Sequence, residues 1–171
     1  MKCPRCAAIT HTPIVRCPGC GFSIETLDRI LGSPAPLDSP LDDEAALLSA
    51  ADHAALTAQL NAAATRSHGR LIVATRLSTA PVRPAEYAFW LFNRPGLVSP
   101  GTRGLLILLA VREQRIETEV GTDWEELATD LQTGRVLDRE VLPLLRERDY
   151  AGALRAAATA LEAIVAGEST R

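Results

Sequence analysis

The sequence predicts a three-layer α/β/α sandwich around a small mixed sheet, preceded by a small cysteine-bearing ribbon. Three observations lead there. Residues 71–75 and 104–111 are uncharged and rich in branched aliphatic side chains, the pattern of strands buried on both faces. Segments with apolar residues at helical spacing alternate with these runs. All four cysteines lie in two Cys-x-x-Cys pairs near the N-terminus.

The ribbon comes first. Cys3-Pro4-Arg5-Cys6 and Cys17-Pro18-Gly19-Cys20-Gly21 are separated by ten residues. A segment this short, with little apolar mass, needs a staple to fold. Four thiolates form the closed tetrahedral set of a structural zinc ion, with sulfur about 2.3 Å from the metal. The proline after each first cysteine fixes the turn. Gly19 and Gly21 let the backbone approach closely enough for amides to reach the thiolates. Residues 7–16 can form a short hairpin around His11-Thr12-Pro13, with His11 in an exposed turn and outside the ligand set. Cys3, Cys6, Cys17 and Cys20 fill all four positions, so the site is structural. Iron is the alternative metal, and a redox Cys-x-x-Cys the alternative chemistry. A redox pair would belong at a strand–helix junction of a larger domain.

Residues 1–31 are thus read as the ribbon. Pro34, Pro36 and Pro40 make 32–40 a stiff linker that separates it from the body. The body, residues 41–171, opens with a helix capped by Ser49, with Asp52 in its first turn. Leu56, Leu60 and Ala63 share one face of it. His68-Gly69 ends it, with Gly69 as the left-handed cap. The strand 71–75 follows, then a helix opened by Pro84 and running through Phe92. The strand 104–111 leads through a polar turn, 112–115, into 116–120, where apolar and charged residues alternate. This is a hairpin with one wet face. Gly121 ends it. Leu127, Leu131, Leu137 and Val141 predict a helix over 123–141, interrupted or kinked at Pro143. Asp149 caps a last helix whose buried stripe is Leu154, Ala157, Ala158, Leu161, Ile164 and Val165.

The chain has 171 residues, a formal net charge of −3 and a pI near 5.6. That balance lacks the basic footprint of a nucleic-acid or acidic-membrane binder. Lys2, Arg5 and Arg16 are thin support for nucleic acid, so a protein partner for the ribbon is expected over nucleic acid. The longest apolar run, 104–111, is far short of the roughly 20 residues of a membrane helix. No apolar region of a signal peptide follows Met1. The expectation is a soluble, cytoplasmic chain whose thiols bind metal in preference to forming disulfides.

No Gly-x-Ser-x-Gly, phosphate loop or His-Glu-x-x-His occurs in the body. Asp123, Glu125, Glu126 and Asp130 crowd together just past a strand end, where carboxylates can hold calcium or magnesium or serve as general acid and base. The plainer reading is a set of acids favoured at a helix N-terminus. Asp130 is the best functional candidate of the four. Arg103, between Gly101 and Gly104, can meet an anion or pair with a carboxylate. Trp90 and Trp124 belong to core or rim packing. His53 and His68 sit too far apart to share a metal. Ser78-Thr79 reads as a turn.

Leu48-Ser49, the strand 71–75, Glu86-Tyr87-Ala88, the run Gly104-Leu105-Leu106-Ile107-Leu108-Leu109, then Ile116-Glu117-Thr118-Glu119-Val120-Gly121, Pro143 and Asp149-Tyr150 occur in an order that resembles the TPM-domain family over 41–164. That family includes thylakoid-lumen proteins with acid-phosphatase activity, and most members are exported or membrane-anchored. The resemblance implies an α/β/α sandwich that binds divalent cations or hydrolyses phosphate esters. It matches Glu125 and Asp130 to family acids and makes them the catalytic candidates, and Asp123 of the acidic cluster joins them as the candidate second, divalent-metal site. Two places depart from the family's pattern. Thr102-Arg103 stands where members carry Asp-Asn, removing an oxygen ligand and adding a positive charge. Gly121-Thr122-Asp123-Trp124-Glu125 replaces Gly-Tyr-Gly-Leu-Glu. The expected function is therefore a protein-binding or accessory module with little or no catalysis, perched at an envelope or membrane complex. A divalent-metal-assisted phosphatase is the alternative, and a nucleic-acid-contacting ribbon protein the third reading.

Overall fold

In the computed structural model, residues 2–9, 16–33, 37, 39–93 and 103–167 are described. Four strands form one sheet in the order β1-β2-β3-β4: β1 (Leu41–Asp43), β2 (Arg70–Arg76), β3 (Gly104–Ala110) and β4 (Arg115–Val120). The first three are parallel, and β4 returns antiparallel beside β3.

The pleat sorts the core into two layers, because successive side chains point to opposite faces. Leu71 and Val73 of β2 face one side with Leu105, Ile107 and Leu109 of β3. Against them pack α2 (Ala50–Ser67) and α6 (Tyr150–Val165). Ile72 and Ala74 face the other side with Leu106 and Leu108, beneath α3 (Pro84–Phe92). The helices on both faces make the three-layer sandwich.

Each α2/α6 terminus is chemically marked. Ser49 Oγ accepts from the Asp52 amide, and Asp149 accepts from the Gly152 amide. The whole expected stripe on α6 is buried. At the C-terminus of α2 the expectation is corrected. His68, at φ 52°, takes the left-handed position, and Gly69 does not. Gly69 is needed for space: a Cβ there would lie 2.4 Å from the ring of Trp124.

The single helix expected over 123–141 is also corrected. A 3₁₀ turn, Thr122–Trp124, precedes α4 (Asp130–Val136), a π segment (Leu137–Val141) and α5 (Leu142–Arg146). The Leu142 amide donates back five residues to the Leu137 carbonyl. Pro143 has no N–H to continue the four-residue ladder, so the helix widens just before it. Leu127 and Leu131 are 43% and 63% exposed, so they are not part of the core stripe.

The ribbon end of the chain contains α1 (Ile24–Leu31). It does not stand apart. Cys3, Cys17, Phe22 and Leu27 share the α3-side core with Trp90, Leu91 and Phe92. Among the described residues, no helix is long and apolar enough to cross a membrane. The expected turn at His11-Thr12-Pro13, linker positions Pro34 and Pro36, and Gly101-Thr102 lie outside the described residues.

Candidate metal centre and the cleft beside it

The two Cys-x-x-Cys turns are built alike. The Cys3 amide donates to the Ala8 carbonyl and the Ala7 amide to the Cys3 carbonyl, both at 2.9 Å. The Cys17 amide donates to Phe22 at 2.7 Å and the Gly21 amide to Cys17 at 2.8 Å. Ala7 and Gly21 occupy the same left-handed position, at φ 60° and 72°. The sequence marks Gly21 as a close-approach glycine, and its left-handed conformation is what the structure adds. Ala7 carries no such mark, because nothing about alanine signals positive φ.

The turns bring all four sulfur atoms within 4.8 Å of one another. Cys3 Sγ lies 3.8 Å from Cys20 Sγ, and Cys6 Sγ lies 3.7 Å from Cys17 Sγ. A tetrahedron with metal–sulfur arms of about 2.3 Å has edges of about 3.8 Å. The donor set therefore fits a single metal ion. The thiols' own electrostatics agree. Burial pushes Cys17 up, but amide hydrogen bonds from Cys20 and Gly19, with the Cys3 and Cys6 thiols, outweigh it and hold Cys17 at about 7. The Phe22 amide pulls Cys20 down, yet burial and the other three thiols push it to about 12. Burial is also the main reason Cys3 is raised. Four crowded thiols cannot all ionise on their own, and a cation among them supplies the missing charge.

Several contacts fasten this head to α3. Arg5 Nε donates to Glu86 Oε1 at 2.5 Å, and Glu86 is only 6% exposed. The Arg5 guanidinium lies 5.1 Å from the Phe22 ring centroid, and Phe22 meets Phe89 edge-on at 5.6 Å. Trp90 Nε1 donates to Asp28 of α1 at 2.9 Å. A buried carboxylate such as Glu86 is costly unless its partner stays in place, so Arg5 holds the head in one position.

Between the head and α4 lies a cleft of about 1210 Å³. Lys2, Arg5 and Ile9 line it from the head, Phe89 and Phe92 from α3, residues 116–120 from β4 with Gly121 just after it, and Asp130 and Leu131 from α4. Lys2 Nζ reaches Asp130 Oδ2 at 3.2 Å, an exposed ion pair.

Of the acidic residues flagged in the sequence, Glu125 and Asp130 line this cleft and Asp123 and Glu126 do not, and the four do not form one ligand set. Asp123, Glu125, Glu126 and Asp130 are all exposed. Among the described residues, the cysteines are the one cluster close enough to hold an ion. The expectation placed the acids at the carboxyl ends of the strands. Because β4 is antiparallel, its end lies beside the start of β3, with the Gly121 amide donating to the Gly104 carbonyl. The acids thus lie at the end of the sheet opposite the carboxyl ends of β1 to β3.

The carboxylate that sequence reasoning missed is Glu119. Burial pushes it up to about 8, helped by the negative charges of Glu117, Asp130 and Glu125. Its alternation with Thr118 and Val120 signals only a half-wet strand. The folded protein holds a proton that the unfolded chain, with its ordinary value of 4.5, releases between pH 4.5 and 8. Stability therefore falls as pH rises through that window. Glu119→Gln is expected to gain on the order of 2 kcal/mol at pH 8 and almost nothing at pH 4.5. Denaturant titrations at the two pH values measure this, and an equal gain at both refutes it.

The remaining candidates have structural roles. Trp124 is buried in the α2/α6 core and Trp90 in the α3 core. Arg103 is exposed, and its carbonyl accepts from the Arg70 amide at 2.9 Å. His53 lies in the first turn of α2 and His68 at its cap. Glu113 ties down the Ser78-Thr79 turn by accepting from Ser78 Oγ and the Thr79 amide.

The TPM-domain family model matches residues 41–164. Among solved structures, the chain is similar to the solution NMR structure of the N-terminal domain of a Porphyromonas gingivalis (P. gingivalis) protein. The TM-score is 0.70 at 22% identity, covering 86% of this chain and 93% of that one. The N-terminal domain of the cg2496 protein from Corynebacterium glutamicum aligns with a TM-score of 0.59 at 18% identity, covering 81% and 88%. No curated protein matches the chain.

Proposed function

The chain belongs to the TPM-domain family, and from that premise we propose that it is a protein-binding accessory module with little or no catalysis, whose ribbon is held by one structural zinc ion. The observation that carries this reading is the use made of the cysteine head. It is fastened to α3 by Arg5, Phe22 and Leu27, and it forms one wall of the cleft along β4. A closed four-thiolate site has no open position for substrate, so its contribution is shape. Zinc suits it because zinc takes tetrahedral thiolate sets without redox chemistry. Such a site keeps its thiols in a reducing, cytoplasmic setting.

The rival reading is a divalent-metal-assisted phosphatase using Glu125 and Asp130, with Asp123 as a third ligand for calcium or magnesium. The sequence counts against it at Arg103, which places a cation where the family's pattern has Asn. The structure adds Lys2, already paired with Asp130.

One comparison separates the two. The full chain and Asp130→Asn are assayed on p-nitrophenyl phosphate with calcium, magnesium or manganese. In parallel, the full chain is used as bait beside the double variant Ile9→Asp, Leu131→Asp, which changes only the exposed rims of the cleft. The module reading expects no metal-dependent turnover and loss of a defined set of proteins from the rim variant. Metal-dependent hydrolysis abolished by Asp130→Asn, with unchanged bait profiles, establishes the enzyme instead.

A further inference from the structure

The cleft runs along a sheet edge that no other described strand covers. Among the described residues, β4 pairs only with β3. The Gly121 amide bonds to the Gly104 carbonyl, and hydrogen-bonded and non-bonded pairs alternate along an antiparallel ladder. Glu119 and Glu117, opposite Leu106 and Leu108, therefore spend their backbone groups on β3. Ile116, Thr118 and Val120 turn their amides and carbonyls outward, into the cleft. No described backbone group bonds to them there.

Side chains follow the complementary alternation. Glu117 and Glu119 project to the ribbon face, the face of Leu106 and Leu108. Ile116 and Val120 lean on the opposite core. The cleft lining holds four acids, Glu117, Glu119, Glu125 and Asp130, against two bases, Lys2 and Arg5. Arg5 is engaged by the buried Glu86, whereas Lys2 with Asp130 and Arg115 with Glu117 form solvent-facing pairs that exchange readily. The rims carry Ile9 at 74% exposure and Leu131 at 63%.

We infer that this cleft takes an extended peptide segment of a partner protein, added to β4 as a fifth strand, with basic side chains at every second position and apolar ones between. The outward amides and carbonyls of Ile116, Thr118 and Val120 supply the ladder bonds. The segment's basic side chains lie across from Glu117, an oppositely charged cross-strand neighbour, and from Glu119, which gives up its proton when a cation comes beside it. Its apolar side chains reach toward Leu131 on the other face. Lys2 anticipates the ligand, since its exposed pair with Asp130 is weak and exchangeable. Exposed sheet edges are usually blunted against such pairing, whereas this one lies along a cleft walled by the head and α4.

This inference rests on the module reading and names its ligand. The probe is a fluorescein-labelled peptide alternating Lys with Val and Ile, measured by fluorescence polarisation against the metal-loaded full chain. Three comparison peptides are an N-methylated version lacking ladder donors, a Glu-for-Lys version, and an unrelated flexible Lys-Ser peptide. The Lys-Val-Ile peptide is expected to bind at roughly 10–100 µM and to weaken as salt rises. N-methylation should cost at least about tenfold, and the Glu version should not bind. Thr118→Pro removes an outward amide while sparing the β3 ladder, so it should abolish binding with the fold intact. Glu117→Lys with Glu119→Lys should transfer preference to the Glu peptide.

Equal binding of the N-methylated or flexible peptide would overturn strand addition, leaving charge attraction alone. Unchanged binding by Thr118→Pro would place the peptide elsewhere. Sedimentation showing a dimer that Thr118→Pro dissolves would assign the edge to a second copy and overturn the inference. If no peptide binds while the rim variant still loses partners as bait, the strand-addition idea fails and the module reading stands.

Discussion

Cys17→Ser is expected to release the ribbon from α3 and lower stability by roughly 3–6 kcal/mol. The size follows from what the metal-bound turns hold in place. Phe22 is joined directly to the second knuckle through the Cys17 amide. Phe22 and Leu27 are buried in the α3-side core. Losing their burial costs about 1.5–3 kcal/mol each. Serine is a poor zinc ligand, so one substitution empties the site, and changing a second cysteine should add little. The effect should be confined to one layer. Trp90, whose ring nitrogen donates to Asp28 of α1, becomes exposed, whereas Trp124 lies in the opposite core and stays buried. In a Trp124→Phe background, Cys17→Ser should therefore shift tryptophan emission to the red. In a Trp90→Phe background it should leave emission unchanged. A variant as stable as the parent, with Trp90 still buried, would show that the cysteines do not hold the head.

Gly69→Ala is expected to cost about 3 kcal/mol, near the upper end for overpacking a core. The new Cβ would meet Trp124 Cη2 and Cζ2 at 2.4 Å and the Arg103 carbonyl at 2.8 Å. Neither neighbour yields readily. Trp124 is 1% exposed at the centre of the α2/α6 core. The Arg103 carbonyl accepts the Arg70 amide, where the β2–β3 pairing begins. The melting temperature should fall by about 6–12 °C for a chain of this size. Trp124→Leu alone should be destabilising too, but combining it with Gly69→Ala should cost much less than the sum. Additive losses in thermal denaturation would place the clash elsewhere.

The legible part of the fold was carried by long, unmixed patterns. The two buried strands show as unbroken aliphatic runs, α3 shows by Pro84 at its start, and α6 by its 3.6-residue stripe and the Asp149 cap. Strand β1 did not show because it is three residues long and two of them are aspartates. It is a strand because its register with Val73, Ala74 and Thr75 makes it one, and Asp43 accepts amides from Leu47 and Leu48 on the way into α2. The segment after β4 misled because Leu127 and Leu131 keep helical spacing but face solvent. Helix α1 sits within the segment read as ribbon, with Leu27 as its one fully buried contact.

The metal cluster was the most legible part of the candidate site, because two short turns of fixed geometry need nothing from the rest of the chain to bring their sulfurs near one another. The cleft was not legible. Its walls come from residues over a hundred positions apart, Lys2 and Asp130 among them. Its floor is a strand edge, whose freedom depends on where the sheet ends. The antiparallel return of β4 also moved the acids to the end of the sheet opposite the one a parallel strand would have given.

The most direct test weighs metal and thiols together in the full chain, purified without oxygen or added metal. Elemental analysis is paired with titration of reactive thiols before and after a strong chelator. One zinc per chain, with thiols silent until the chelator frees all four and Trp90 loses its burial, is the predicted result. Metal-free protein whose cysteines react at once while Trp90 stays buried would contradict it.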